Sequence, residues 1–228
     1  MIEYESFLFG SAARGDNDAN SDTDVLIIYG DHVPSLEIRD NAKSSISIGL
    51  GAKCSFAEYT QEHLNRMFSA GHLFTWHLYL EAKRLTPTGD VDETCNNFCQ
   101  PAPYENAFVD ASNFGSLINS AHESLLSGGK SFIYEAGIAY VALRNIGMCL
   151  SASFSERFHF GRLSPFLLSS RLGIEPGCPL AIYNELVSAR HASQRGLDYT
   201  KLERKEILQG IGLARAWANE LIEAANDY

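Results

Sequence analysis

The stretch of sequence that decides the fold runs from Phe7 to Tyr29 and reads FLFGSAARGDNDANSDTDVLIIY. Its two apolar segments, Phe7–Phe9 and Val25–Ile28, have the composition of buried strands. Between them lie a Gly10–Ser11 turn and a polar loop. The stretch therefore predicts two neighbouring strands joined through a glycine turn, which is the start of a small sheet.

Two aspartates stand at the beginning of the second predicted strand, at positions 22 and 24. Alternate side chains of a strand share one face, so the carboxylates of Asp22 and Asp24 are predicted to point the same way. The backbone amides of the nearby Gly10–Ser11 turn can contact phosphate oxygens. Carboxylate oxygens are ligands that Mg²⁺ prefers. The pattern therefore predicts a divalent-metal site beside a triphosphate site.

The same stretch resembles the signature of the DNA polymerase beta-like nucleotidyltransferase superfamily, written G-S-x-x-R-G, a short spacer and S-D-x-D. The fixed positions of that signature are Gly10, Ser11, Arg14, Gly15, Ser21, Asp22 and Asp24. The resemblance is to the minimal and kanamycin-type bacterial branches. It implies transfer of a nucleoside monophosphate from ATP or another NTP to a hydroxyl group of a small molecule or a protein.

The resemblance also implies roles for individual residues. The catalytic metal ligands would be Asp22 and Asp24, holding Mg²⁺ or Mn²⁺. The residues that bind the triphosphate would be Gly10, Ser11 and Arg14. A second role is open for Arg14, because it could instead lock the loop by pairing with Asp16 or Asp18.

A third carboxylate on a neighbouring strand completes the site in this superfamily. The predicted strand at residues 52–59 carries one acid, Glu58, whereas alignment on Tyr59 and Thr60 puts Ser55 at the expected position. A shift of one residue exchanges the two faces of a strand, so both assignments stay open. With Glu58 the chain has three catalytic carboxylates. With Ser55 it has two, and it could be a catalytically impaired nucleotide-binding regulatory or antitoxin-like module.

The composition limits the partners of this chain of 228 residues. Its formal net charge is −10 and its basic residues are dispersed, which disfavours binding to long nucleic acids. No apolar run approaches the roughly 20 residues of a membrane span, and no leader peptide is visible. We therefore expect a cytoplasmic protein without a membrane partner, whose five cysteines are reduced thiols.

The overall organisation is predicted to be α+β. Residues 1–88 are expected to form a small mixed-sheet nucleotidyltransferase domain with helices on one side, and residues 103–228 an all-helical bundle. Within the first domain we predict a helix from Pro34 to about Lys43 and a strand at residues 45–50. Residues 86–103, rich in Pro, Asp, Asn and Thr, are predicted to be a linker between two domains that meet in a cleft.

Overall fold

The structure, a computed structural model, describes residues 4–17, 22–86, 89–92, 98–154, 158–195 and 203–227. The chain divides into two compact units, Met1–Glu105 and Asn106–Tyr228. The first unit contains a sheet with helices and the second is helical, which confirms the α+β class. Ser21 of the signature lies outside the described residues, and so does Cys95, one of the five cysteines.

The first unit is built around one sheet. Its elements are β1 (Tyr4–Phe9), α1 (Gly10–Arg14), β2 (Thr23–Tyr29), α2 (Leu36–Leu50), β3 (Cys54–Thr60), α3 (Gln61–Ser69), α4 (Leu73–Glu81), β4 (Lys83–Leu85) and β5 (Val91–Asp92). The strand order is β3-β2-β1-β4-β5. Strands β2 and β3 run parallel, whereas β1 is antiparallel to both β2 and β4.

Strands β1 and β2 lie inside the sheet, and their apolar side chains are buried on both of its faces. On one face Leu26 and Ile28 pack with Leu64 of α3 and Leu78 of α4. On the other face Val25, Ile27 and Tyr29 pack with Ile46 of α2. The prediction that helices cover only one side is therefore wrong, since α2 lies on the face opposite α3 and α4.

The predicted strand at residues 45–50 is also wrong, because these residues form the last turns of α2. The alternation Ser-Ile-Ser-Ile suggested a strand, but the burial follows helical spacing. Ala42 and Ile46, four residues apart, are buried, whereas Ile48 is 80% exposed. An isoleucine that alternates with serine is thus compatible with a helix when only one of the two isoleucines faces the sheet.

The described end of the predicted linker packs on the first unit. The ring of Phe98 contacts the rings of Phe7 and Phe68, and the indole N–H of Trp76 donates to the carbonyl of Ala102 at 3.0 Å. The amide of Ala102 in turn donates to the carbonyl of Phe68 at 3.0 Å. Side-chain and backbone contacts therefore fix residues 98–102 to the first unit.

The second unit is a bundle around one central helix. Its elements are α5 (Ala107–Leu126), α6 (Phe132–Phe154), α7 (Ser164–Leu172), α8 (Leu180–Arg195) and α9 (Arg204–Asn226). Helix α6 packs against the other four helices of the unit. It is long and apolar enough to cross a membrane by length and composition, but 61% of its most apolar window is buried by these neighbours. Burial in the bundle accounts for its apolar character.

Candidate functional site

The glycine turn and the aspartates meet at one end of the sheet. The pairing of β1 with β2 places Phe9 opposite Asp24, and α1 begins at the next residue, Gly10. Gly10 has a φ of 71°, and a Cβ on this residue would lie 2.7 Å from Oδ2 of Asp24. A side chain at position 10 would therefore be strained by the positive φ and would displace Oδ2 of Asp24.

The two aspartates occupy different places relative to β2. Asp24 is the second residue of the strand and shares a face with Leu26, whereas Asp22 lies just before the first residue, Thr23. Both aspartates are half-buried. Ser11 follows Gly10 in the first turn of α1. The structure therefore brings the Gly10–Ser11 turn to the end of β2 that carries Asp24, whereas Asp22, predicted to share a strand face with Asp24, lies just outside the strand.

The register between β2 and β3 decides which residue stands beside Asp24. Ser55 pairs with Asp24, whereas Glu58 pairs with Ile27, three residues further along the strand. Paired residues of neighbouring strands share a face, so Ser55 lies on the face of Asp24 and Glu58 on the opposite face. Glu58 as a third metal ligand does not fit this register. Within the described ranges no group of three His, Cys, Asp or Glu residues could hold a metal ion.

Glu58 instead ties α2 to the sheet. Its carboxylate accepts hydrogen bonds from Nε and Nη2 of Arg39, both at 2.8 Å, and from the Tyr29 hydroxyl at 2.9 Å. The ammonium of Lys43 lies 2.5 Å from Oε1 of the same carboxylate. The hydrogen bonds from Arg39, together with those from Lys43 and Tyr29, outweigh the cost of burial and lower the pKa of Glu58 to about 2.

Substitution of Glu58 should therefore affect stability and leave nucleotide binding intact. Glu58→Gln removes an ionised acceptor from two cations, and we expect the free energy of unfolding to fall by about 2 kcal/mol. A chemical-denaturation series at neutral pH would measure this. The exposed pair of Glu62 and Arg66 in α3 provides the control, because Glu62→Gln should cost no more than about 0.5 kcal/mol.

The same ion pairs give this stabilisation a pH dependence. The pKa of Glu58 is lower in the folded protein than its ordinary value of 4.5, so ionised Glu58 stabilises the fold above pH 4.5. That contribution is lost as the pH falls from 4.5 towards 2. Glu58→Gln should remove this part of the acid sensitivity. An unchanged acid profile together with unchanged stability would contradict the role given to Glu58.

Arg14, the last residue of α1, pairs with two carboxylates. Its Nε donates to Asp16 at 3.1 Å and its Nη1 to Glu81 of α4 at 2.6 Å. Burial opposes the charge of Arg14, but the bonds to Asp16 and Glu81 outweigh it and raise its pKa. Of the two roles open for Arg14, this geometry matches loop locking, with Asp16 as predicted; Asp18 lies outside the described residues.

The contact between Arg14 and Glu81 could not be found from the sequence. The two residues are separated by 67 positions, and nothing in the local pattern of α4 distinguishes Glu81 from an ordinary helix-end carboxylate. His77, one helical turn earlier, lies 2.8 Å from the same oxygen of Glu81. Only the packing of α4 beside α1 makes these residues part of the surroundings of the site.

Gly10 and Gly15 provide a matched test of the close approach to Asp24. Both have positive φ values, 71° and 79°, but only a Cβ at Gly10 meets the carboxylate, whereas one at Gly15 meets nothing within 4 Å. Gly15→Ala should cost about 1 kcal/mol for the left-handed conformation alone. Gly10→Ala should cost about 1 kcal/mol more, because the Asp24 carboxylate must rotate away from the new methyl group. Thermal unfolding of both variants measures the difference, and equal losses would show that the approach is not tight.

The comparison with known families agrees with this geometry. Residues 3–69 match the family model described as a nucleotidyltransferase domain, and they include the turn, both aspartates and β3. No curated protein matches the chain. The matched residues are less than a third of the 228-residue chain and lie entirely within the first unit. Residues 3–69 are therefore a nucleotidyltransferase domain of the DNA polymerase beta-like superfamily.

Proposed function

We propose that this protein transfers a nucleoside monophosphate from an NTP, with ATP as the first donor to test, to a hydroxyl group of a small molecule or a protein. The family of residues 3–69 supports nucleotidyl transfer in general. The identities of the donor, the metal and the acceptor are part of the proposal. The net charge of −10 favours a small molecule or a protein over a long nucleic acid as acceptor.

The observation that carries the proposal is the close approach of Gly10 to the carboxylate of Asp24. An NTP bound along the Gly10–Ser11 turn would have its phosphates next to the carboxylates. The half-buried pair of Asp22 and Asp24 has the oxygen donors that suit Mg²⁺ or Mn²⁺. A divalent ion bound there would neutralise charge on the triphosphate. Asp22 and Asp24 would hold the ion, and the turn would orient the β- and γ-phosphates.

The acceptor side of the site differs from the pattern of the superfamily. Ser55 stands beside Asp24, at the position where the superfamily has its third carboxylate. A serine hydroxyl is a much poorer proton acceptor than a carboxylate. In this proposal the Gly10–Ser11 turn, Asp22 and Asp24 form the donor half of the site, whereas the acceptor-activating half lacks its carboxylate. We therefore propose that turnover is limited by acceptor activation and that NTP binding is retained.

Ser55 also supports the second candidate function. In that alternative the protein is a catalytically impaired nucleotide-binding module that acts in regulation, for example as the antitoxin-like partner of another protein. Both candidates require binding of a metal and an NTP at Asp22 and Asp24. They differ in whether the wild-type protein consumes the nucleotide.

Pyrophosphate release distinguishes the two candidates. Each of the four common NTPs would be incubated with wild-type protein and Mg²⁺ or Mn²⁺, in the presence of a panel of hydroxyl-bearing acceptors. Metal-dependent release that disappears in Asp22→Ala would support transfer. NTP binding without release in wild type would support the regulatory module, and absence of both would refute the proposed function.

A further inference from the structure

Helix α4 contacts residues at both ends of α1, although none of the α4 residues belongs to the nucleotidyltransferase signature. At the end of α1, Glu81 accepts a hydrogen bond from Nη1 of Arg14 at 2.6 Å. At its beginning, the ring of His77 packs edge-on against the ring of Phe9, with centroids 5.5 Å apart. His77 also lies 2.8 Å from the Glu81 oxygen that receives Arg14. The two α4 side chains therefore contact the residue just before α1 and the last residue of α1.

The contact of Glu81 with Arg14 is largely shielded from water. The side chain of Glu81 is 12% exposed and that of Arg14 24%. A charge pair in such a position is screened less by solvent and salt than a surface pair. Within the described part of the chain, loss of the Glu81 charge would leave the Arg14 guanidinium with the more exposed Asp16 as its ion-pair partner.

Helix α1 depends on such external contacts for its position. It has five residues, far fewer than a helix needs to be stable alone, and no side chain caps its first turn. Its anchors among the described residues include the buried Ala13 and the ion pairs of Arg14. The anchor at Arg14 therefore contributes to the distance between Gly10 and Asp24 at the other end of this short helix.

We infer that Glu81 is a positioning residue for the nucleotide-binding turn, acting through Arg14 and oriented by His77. Glu81 holds the end of α1, so that Gly10 and Ser11 keep their place beside Asp24. The link to the nucleotide rests on the proposed function, whereas the hold on α1 does not. A displacement of the turn by about 1 Å would misplace the triphosphate, and a misplacement of that size can lower the reaction rate roughly a hundredfold.

Amide hydrogen exchange without nucleotide tests the hold on α1. The amides of Gly15 and Asp16 donate to the carbonyl of Ser11 at 2.9 and 3.1 Å and report directly on the end of α1. In Glu81→Gln we expect both to exchange roughly tenfold faster. The control is Glu5→Gln, which removes a carboxylate from Arg84, 2.6 Å away at another part of the sheet. It should leave these amides unchanged.

A titration with Mg·ATP on the same proteins tests the consequence for binding. Glu81→Gln should weaken binding about tenfold, Glu5→Gln should not, and Glu81→Gln should add little to Arg14→Gln in a double-mutant cycle. If Glu81→Gln is too unstable to purify, Glu81→Asp, which keeps the charge but shortens the side chain, should show the same changes in smaller measure.

The outcomes separate this inference from the proposed function. Unchanged exchange at Gly15 and Asp16 in Glu81→Gln and Glu81→Asp would overturn the inference, and so would equal changes in Glu5→Gln. Full additivity of Arg14→Gln and Glu81→Gln would show that Glu81 does not act through Arg14. Failure of the wild-type protein to bind any of the four common NTPs in the presence of Mg²⁺ would refute the proposed function, while the exchange rates would still decide whether Glu81 holds α1.

Discussion

Asp24→Asn should abolish metal-dependent binding of NTP. The substitution keeps the size of the side chain but removes a negative charge from the pair that would hold the divalent ion, so the triphosphate charge is no longer neutralised. We expect the affinity for Mg·ATP to fall at least roughly a hundredfold. Isothermal titration of the wild type and the variant with ATP, with and without Mg²⁺, would measure this.

A matched control for Asp24→Asn is available at the other end of the same strand. Asp31→Asn makes the same change of charge in the exposed turn that follows β2. It should leave binding of Mg·ATP intact. Equal binding by the wild type and Asp24→Asn, or binding that does not respond to Mg²⁺, would show that Asp24 is not a metal ligand.

Ser55→Asp should raise turnover by about 10² to 10⁴, the usual contribution of a general base. The register places residue 55 opposite Asp24 on the same face, so an aspartate there would supply the missing carboxylate. The side chain of Ser55 is exposed, and therefore the added charge should be tolerated. Pyrophosphate release with a fixed acceptor panel would measure the gain.

Ser55→Asn separates the effect of charge from that of size. It adds the same volume as aspartate without a carboxylate, so its turnover should stay at the wild-type level. Equal rates in Ser55→Asp and Ser55→Asn would contradict the assignment of residue 55 to the third position. A fall in turnover on Glu58→Gln with no loss of stability would restore Glu58 as the third acid.

Local patterns were sufficient to predict the centre of the first unit. The two strands predicted between Phe7 and Tyr29 appear in the structure as β1 and β2, whereas Gly10 and Ser11, predicted as a turn, begin the short helix α1. Threonine is a residue type favoured at N-caps, and Thr60 at the start of α3 accepts a hydrogen bond from the amide of His63 at 3.2 Å. Such features depend on a few consecutive residues, and so they can be recognised without knowledge of the tertiary structure.

Features that depend on packing between distant segments could not be predicted in the same way. The choice between Ser55 and Glu58 required the register of β3 against β2, which no local pattern fixes. The helical state of residues 45–50 follows from packing of Ile46 on the sheet. The contact of Arg14 with Glu81 joins residues 67 positions apart.

The destinations of the α- and γ-phosphates of ATP test nucleotidyl transfer most directly. Wild type and Ser55→Asp would be incubated with Mg²⁺ and the acceptor panel, using ATP labelled either at the α- or at the γ-phosphate. Nucleotidyl transfer predicts α-label on the acceptor and γ-label in pyrophosphate, with a higher yield for Ser55→Asp. Transfer of the γ-label to an acceptor, or its release as inorganic phosphate by both proteins, would contradict it.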